Sequence, residues 1–163
     1  MSQSHRIWSL AKAIIAEATD SGLKLATAES CTGGLLAAAL TEIAGASAAF
    51  ERGFVVYSNV AKTELLGVAV GLIARHGAVS EEVARAMAEG ALTHSSAQIS
   101  VSCTGIAGPS GGTPTKPVGL VHLAAARMGQ TTLHAECRFG DIGRDHVRIR
   151  SVEEALKLLF QAM

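Results

Sequence analysis

Three features that would assign a chain to a broad class are missing from this sequence. The 163 residues include only three cysteines, and neither their odd number nor their spacing indicates a disulfide framework or a zinc site. No apolar run approaches the ~20 residues of a membrane helix, and the opening residues do not form a signal peptide. Acidic and basic residues number 14 each, so no net charge attracts nucleic acid or an anionic membrane. We therefore expect a cytoplasmic protein that binds neither.

Aromatic and charged residues are scarce, at 4% and 17% of the chain, whereas apolar residues reach 48%. This composition excludes a disordered or collagen-like chain. Alanine supplies much of the apolar content, which predicts a core of small side chains between closely packed elements. One domain is the default at this length, and we expect a single domain over residues 1–163.

The spacing of apolar residues switches repeatedly between helical and strand-like patterns, which is typical of an α/β fold. Strands are predicted over residues 23–28, 53–57, 98–103, 118–128 and 131–139, and helices over 7–22, 35–45, 58–66, 70–76, 80–91 and 143–161. Helices on both sides of these strands imply a three-layer α/β/α sandwich. The strands linked through helices should be parallel, and a hairpin at Gly129–Gln130 adds an antiparallel part. The expected sheet is therefore mixed and mostly parallel.

The turn that follows the first predicted strand is the first candidate site. A helix that starts at the carboxyl end of a strand offers unpaired N–H groups to an anion. Ser30 and Thr32 add hydroxyl groups there, and Gly33 and Gly34 let a ligand approach the backbone. These groups suit a serine nucleophile with an adjacent oxyanion site. The alternative is that Ser30 or Thr32 only caps the helix, as such residues commonly do.

A serine nucleophile needs a base, which a histidine or a lysine would supply. The six histidines and three aspartates show no pattern specific to a Ser–His–Asp triad, although they do not exclude one. Of the five lysines, Lys62 and Lys116 lie near the expected ligand-binding ends of strands. Lys62 lies on a short helix beyond Tyr57 that Ser58 or Asn59 would cap. It acts as a base only if its pKa is lowered from ~10.4 toward neutrality. The alternative is a solvated lysine on the surface of that helix.

A long loop, Thr104–Pro117, contains all three prolines of the chain and four of its glycines. Loops of this length inside a compact domain are commonly functional, and glycines let backbone amides wrap a phosphate or a flat ring. The loop matches neither GxxxxGK[ST] nor GxGxxG, so a standard nucleotide-binding loop is rejected, and a mobile surface loop is the alternative. Arg144 and Arg148, at i and i+4 of the last predicted helix, would bind a phosphate or pair with neighbouring carboxylates.

Six motifs, taken together and in order, resemble the signature of the CinA C-terminal domain family. They are TAESCTGG at 27–34, FERGF at 50–54, YSNVAK at 57–62, GAVSE at 77–81, TGIAGP at 104–109 and KPVG at 116–119. The resemblance covers nearly the whole chain. It is to the stand-alone nicotinamide-nucleotide amidases of that family, rather than to the larger CinA proteins, whose other domain is credited with a pyrophosphatase activity. We expect that pyrophosphatase activity to be absent.

The resemblance implies that nicotinamide mononucleotide is deamidated to nicotinate mononucleotide and ammonia, a step of NAD salvage in the pyridine nucleotide cycle, without a metal or other cofactor. It implies that Ser30 is the nucleophile, that Lys62 is the base, and that Tyr57 orients the lysine or relays a proton to ammonia. The nucleotide is expected to contact Thr32, Gly33, Gly34, Thr104, Gly105, Ala107, Gly108 and Arg144. The neutral charge and the resemblance together also favour a homo-oligomer, which we hypothesise to be a dimer.

Two positions depart from the family pattern. Val56 stands where relatives often have threonine, and Ile142–Gly143 separates Gly140–Asp141 from Arg144. The changed offset weakens the case for a ligand role of Arg144. Two other functions remain as alternatives: a non-catalytic module that binds a nucleotide or a protein partner, and a Ser–Lys hydrolase of another amide.

Overall fold

The computed structural model describes all of residues 1–163, which form six α-helices and five β-strands. In chain order they are α1 (Gln3–Asp20), β1 (Leu25–Glu29), α2 (Leu35–Thr41), β2 (Phe50–Val55), α3 (Asn59–Leu66), α4 (Val70–His76), α5 (Glu81–Thr93), β3 (Ile99–Gly105), β4 (Leu120–Arg127), β5 (Leu133–Arg138) and α6 (Arg144–Gln161). None of these helices combines the length and the apolar character needed to cross a lipid bilayer.

The five strands form one sheet in the order β2-β1-β3-β4-β5. β1 pairs in parallel with β2 and β3, whereas β4 is antiparallel to both β3 and β5. Four of the five strands therefore point the same way and only β4 is reversed, which confirms the predicted mixed sheet. Because β1, β2 and β3 are parallel, their carboxyl ends meet at one edge of the sheet, where ligands bind in open α/β folds.

Helices cover both faces of the sheet, so the predicted three-layer sandwich is confirmed. α1, α2 and α6 pack on one face, and α3, α4 and α5 pack on the other. Consecutive residues of β1 serve the two layers in turn, since Leu25 packs under α1, α2 and α6 while Ala26 packs under α3, α4 and α5.

Buried alanines lie on both faces of the sheet, and they are concentrated where α5 packs on it. Four alanines from α5 and β4 form a cluster of their own, namely Ala84, Ala88, Ala124 and Ala126. On the adjacent strand β3, Ser100 and Ser102 each donate a hydrogen bond of 2.6 Å to a carbonyl of α5. Because these side chains are short, α5 lies close enough to the sheet for β3 hydroxyls to reach its backbone.

β2 is shifted from its predicted position. The prediction covered residues 53–57, whereas the strand runs over Phe50–Val55. Val56 still donates its N–H to Glu29 at 2.9 Å, but the carbonyls of Val56 and Tyr57 accept hydrogen bonds from a lysine side chain. These two residues are therefore part of the edge at which the strands end.

A close backbone contact holds α3 against α5. A side chain built at Gly90 of α5 would place its Cβ 2.1 Å from the carbonyl oxygen of Leu66, the last residue of α3. Only glycine permits this approach, so Gly90 determines where α3 lies relative to the sheet.

We expect Gly90→Ala to destabilise the protein by about 1–3 kcal/mol or more, because the added methyl group must displace backbone rather than a flexible side chain. Gly71→Ala is the matched control, since Gly71 is exposed, helical and has nothing within 4 Å of its built Cβ. That control should gain up to about 1 kcal/mol from the higher helix propensity of alanine. Urea unfolding of both variants measures the difference, and equal stabilities would refute the close-contact argument.

Candidate active site

Ser30 and Lys62 are 32 positions apart in sequence and meet at the carboxyl edge of the sheet. Ser30 follows the last residue of β1, and its N–H donates to Cys103 of β3 at 2.9 Å. Lys62 lies on α3, and of the two expected caps it is Ser58 that caps the start of this helix, with Ser58 Oγ accepting from Ala61 N–H at 3.0 Å. Lys62 Nζ lies 3.0 Å from Ser30 Oγ. The alternative of a solvated helix lysine is therefore wrong.

The environment of Lys62 suits a neutral amine. Its side chain is 1% exposed, and Nζ also contacts the carbonyl oxygens of Val56 at 3.0 Å and Tyr57 at 3.2 Å. Burial lowers the pKa of Lys62 below its ordinary value, and the nearby Cys31 opposes this only in part. A neutral amine has two N–H groups for the two carbonyls and one lone pair for the serine O–H. The pair therefore has the geometry of a nucleophile and its base.

The start of α2 is not free to bind a ligand. The buried carboxylate of Glu29 accepts the N–H groups of Gly34 at 3.2 Å, Leu36 at 2.9 Å and Ala37 at 3.0 Å. Glu29 therefore caps α2, and the alternative in which Ser30 or Thr32 caps it is wrong. The sequence analysis missed this role, although an acidic residue shortly before a helix start is the expected signal.

The expected ligand contacts in this turn are correspondingly reduced. Gly34 N–H binds Glu29, and Gly33 N–H binds the Ser30 carbonyl at 3.1 Å, so neither amide is available to a ligand. The hydroxyl of Thr32 is fully buried and has no hydrogen-bond partner. The backbone N–H groups of Cys31 and Thr32, by contrast, donate to no acceptor within the chain. These two amides are the unpaired donors next to Ser30.

Arg148 contacts the same turn from α6. Its Nε donates to the Cys31 carbonyl at 3.1 Å, and its Nη2 donates to the Thr32 carbonyl at 3.2 Å. The expected alternative, pairing with neighbouring carboxylates, does not occur for Arg148 or for Arg144. Sequence reasoning left open what Arg148 binds, because no local pattern connects α6 to the turn after β1.

Tyr57 reaches Lys62 through its backbone and not through its phenol. The side chain is 62% exposed, and its hydroxyl accepts a hydrogen bond from Arg144 Nη2 at 3.1 Å. Arg144 Nη1 also donates to the Gly108 carbonyl at 2.9 Å. The expectation that the tyrosine side chain orients the lysine is therefore not met. Instead, Tyr57, Arg144 and Gly108 form a hydrogen-bonded chain that connects the site to the glycine- and proline-rich loop.

That loop is held by side chains of the core. Thr104 is buried and its hydroxyl donates to the Ala78 carbonyl at 2.8 Å, so it is not free for a ligand. A Cβ at Gly105 would lie 2.6 Å from Val121, so this glycine is needed for packing on β4. Ala107 and Gly108 are also buried, and Lys116 Nζ donates to the Val79 carbonyl at 2.8 Å. The loop is thus anchored near both of its ends, while residues 109–115 between these anchors are exposed.

The histidines lie away from the Ser30–Lys62 pair. None of the six forms a hydrogen bond with Ser30, and the most buried, His122, pairs its Nδ1 with Nε2 of His134 at 2.9 Å. No group of three or more histidine, cysteine, aspartate or glutamate side chains is arranged to hold a metal ion. The structure therefore favours lysine over histidine as the partner of Ser30.

Two thiols lie beneath the turn. Cys31 Sγ is 3.6 Å from Cys103 Sγ, and both residues are buried in the core on the side of α1, α2 and α6. The hydrogen bond from Cys103 lowers the pKa of the Cys31 thiol, whereas the same contact and burial raise the pKa of Cys103. Because the Cys31 side chain packs into this core, its backbone is held next to Ser30.

Comparison with known proteins gives a consistent result. A family model described as the CinA C-terminal domain matches residues 8–163. A CinA-like protein of Anaeromyxobacter dehalogenans is 52% identical over 150 residues, which are 92% of this chain and 36% of that protein. A CinA-like protein of Mycolicibacterium vanbaalenii is 56% identical over 142 residues, 87% of this chain and 33% of its own length. The chain thus spans about a third of the curated relatives it matches.

Solved structures are similar over nearly the whole chain. The competence/damage-inducible protein CihA from Agrobacterium tumefaciens has a TM-score of 0.94 and 52% identity, covering 96% of this chain and 94% of the other. A CinA superfamily protein from Escherichia coli has a TM-score of 0.93 and 35% identity, covering 100% and 94%. The match of the family model and the identity to these relatives establish that the chain belongs to the CinA C-terminal domain family.

Proposed function

We propose that this chain is an amidohydrolase that hydrolyses the carboxamide of nicotinamide mononucleotide to nicotinate mononucleotide and ammonia. The observation that carries the proposal is the buried Lys62 amine 3.0 Å from Ser30 Oγ, with its pKa lowered by burial. The choice of substrate rests on the resemblance of the sequence motifs to the nicotinamide-nucleotide amidases.

In the acylation step, Ser30 Oγ attacks the carboxamide carbon while its proton passes to Lys62 Nζ. The two carbonyls that bind Nζ favour the resulting ammonium by accepting its remaining N–H groups. The new oxyanion is bound by the unpaired N–H groups of Cys31 and Thr32. An N–H from the residue after the nucleophile is a common donor in serine hydrolases.

Acylation is completed when the C–N bond breaks and Lys62 returns its proton to the leaving nitrogen, which departs as ammonia. In deacylation, water attacks the acyl-enzyme and loses a proton to Lys62. The ester bond then breaks, the acid is released, and Lys62 passes that proton to Ser30 Oγ. Lys62 is the only group that forms a hydrogen bond with Ser30 Oγ, so a single base serves both half-reactions.

The nucleotide portion is assigned to the exposed side of the site. Arg144 is exposed and is held by Tyr57 and Gly108 next to the glycine- and proline-rich loop. The backbone N–H groups of Gly111 and Gly112 in that loop have no acceptor within the chain. A guanidinium bonded to this loop and the unpaired amides of the same loop are both suitable donors for a phosphate.

We expect Ser30→Ala to abolish ammonia release from nicotinamide mononucleotide while the protein stays folded, because alanine removes the attacking oxygen. Ser47→Ala, which alters an exposed serine without a side-chain hydrogen bond, is the control and should keep wild-type turnover. The assay measures ammonia with a metal chelator present, alongside thermal melting with and without the nucleotide.

Each other outcome of that assay identifies a specific error. Turnover by Ser30→Ala would mean that another group, Cys31 first, is the nucleophile. Stabilisation of the wild type by the nucleotide without ammonia release would favour a non-catalytic binding module. Ammonia from other amides but not from the nucleotide would keep the Ser–Lys chemistry and refute the substrate.

The pH dependence of activity tests the role of Lys62. Below its pKa the amine is protonated and cannot accept the serine proton, so kcat/KM should fall as pH falls. Burial lowers the pKa of Lys62, so the midpoint of this limb should lie below the ~10.4 of a free lysine. Lys62→Met should be inactive, whereas Lys24→Met, at an exposed lysine bonded to Ala48, should keep the limb unchanged. A kcat/KM that does not change with pH below ~10.4 would contradict the assignment of Lys62 as the base.

A further inference from the structure

We propose that Arg148 is a positioning residue that aligns the oxyanion-binding amide of Thr32, an inference that rests on the proposed acyl-transfer chemistry. Arg148 does not touch Ser30 or Lys62. It acts through the peptide groups of the turn that carries the nucleophile.

Arg148 controls the Thr32 N–H through the geometry of one peptide unit. The Cys31 carbonyl and the Thr32 N–H belong to the same trans peptide and point in opposite directions. Arg148 Nε donates to that carbonyl at 3.1 Å, so the guanidinium determines the direction of the Thr32 N–H. The preceding peptide is held in the same manner, because the Ser30 carbonyl accepts the Gly33 N–H and thereby directs the Cys31 N–H. Both unpaired donors are therefore oriented through their own carbonyls.

The charge of Arg148 strengthens the same donor. No carboxylate forms an ion pair with Arg148. A cation bonded to a carbonyl draws electron density from that peptide group and makes its N–H a better donor. The charge of Arg148 also acts on the Cys31 side chain. The pKa of that thiol is lowered mainly by the Cys103 hydrogen bond and to a smaller extent by Arg148.

Arginine is suited to this position because its planar fork donates to two acceptors at once. The second bond, from Nη2 to the Thr32 carbonyl at 3.2 Å, fixes the guanidinium plane across the turn. A lysine has a single nitrogen on a flexible stem and cannot reproduce the paired geometry.

The dependence on Arg148 follows from the occupied helix start. Glu29 takes the first free amides of α2, so these cannot stabilise an oxyanion. Within this turn, only the Cys31 and Thr32 N–H groups are therefore free to bind the negative charge that develops on the carbonyl oxygen. Misalignment of one of two donors should affect the transition state and leave ground-state binding almost unchanged.

The test uses Arg148→Ala and Arg148→Lys, with Arg150→Ala as control, because Arg150 lies on the same helix and stacks on Phe139 away from the turn. The first readout is labelling of Ser30 by a fluorophosphonate. Serine Oγ forms a bond to phosphorus, fluoride leaves, and the serine proton passes to Lys62. The second readout is steady-state hydrolysis of nicotinamide mononucleotide, and thermal melting checks that each variant is folded.

We expect Arg148→Ala to lower the labelling rate and kcat by about 10²-fold while KM changes by less than about threefold. Arg148→Lys should fall between Arg148→Ala and the wild type, and Arg150→Ala should match the wild type. Guanidinium ion added to the solution should restore part of the rate that Arg148→Ala loses. It should not raise the rate of the wild type. A purely structural role would lower the melting temperature without this separation of kcat from KM.

The outcomes separate the two proposals. Labelling of Arg148→Ala at the wild-type rate overturns the role of Arg148, whatever the substrate. Labelling without hydrolysis of the nucleotide in the wild type refutes the proposed substrate, and the labelling rates still decide the role of Arg148. A wild-type protein that is neither labelled nor active overturns both. If Arg148→Ala does not fold, Arg148→Lys decides: an unchanged labelling rate overturns the role, and a slowed rate in folded protein supports it.

Discussion

The burial of one lysine amine is the constraint on which the rest of this site depends. An ammonium removed from water is costly, so a buried lysine favours its neutral form, which is the form that accepts a proton. Lys62 offers two N–H groups to backbone carbonyls and leaves its lone pair toward Ser30. The arrangement needs no carboxylate to orient the base, in contrast to a triad built on histidine. The segment directly after β2 is therefore part of the site, because the carbonyls of Val56 and Tyr57 bind the amine.

Small residues make that burial attainable. Gly90 lets α3 lie directly on α5, and α3 carries Lys62. Ser100 and Ser102 hold α5 against β3 through hydroxyl-to-carbonyl bonds of 2.6 Å each. Larger side chains at these positions would separate the layers and admit water to the amine. The alanine-rich composition of the chain thus has a direct consequence for the chemistry, since close layers keep Lys62 dehydrated.

In the turn after β1, some polar groups are hydrogen-bonded within the fold and others are left without a partner. Glu29 uses the amides of α2, and Arg148 uses the carbonyls of Cys31 and Thr32. What remains unpaired is a pair of N–H groups beside Ser30. In the proposed reaction these donors would bind the oxyanion with little reorganisation, because they are already held by bonds on their other side. The acidic and basic partners of the turn come from opposite ends of the chain and carry no mutual ion pair.

Local patterns in the sequence determined the helices, most strand positions, the cap at Ser58 and the placement of Ser30 at a strand-to-helix turn. These depend on periodicity and on interactions between near neighbours, which a sequence displays directly. Only the tertiary structure decided that Lys62 is buried against Ser30, that Glu29 caps α2 and that Arg148 reaches the turn. Each of these contacts joins groups on different elements. The pKa of Lys62 likewise depends on how completely the surrounding elements exclude water from its amine. Such contacts arise from the pairing order of parallel strands, which brings distant chain segments to one edge of the sheet.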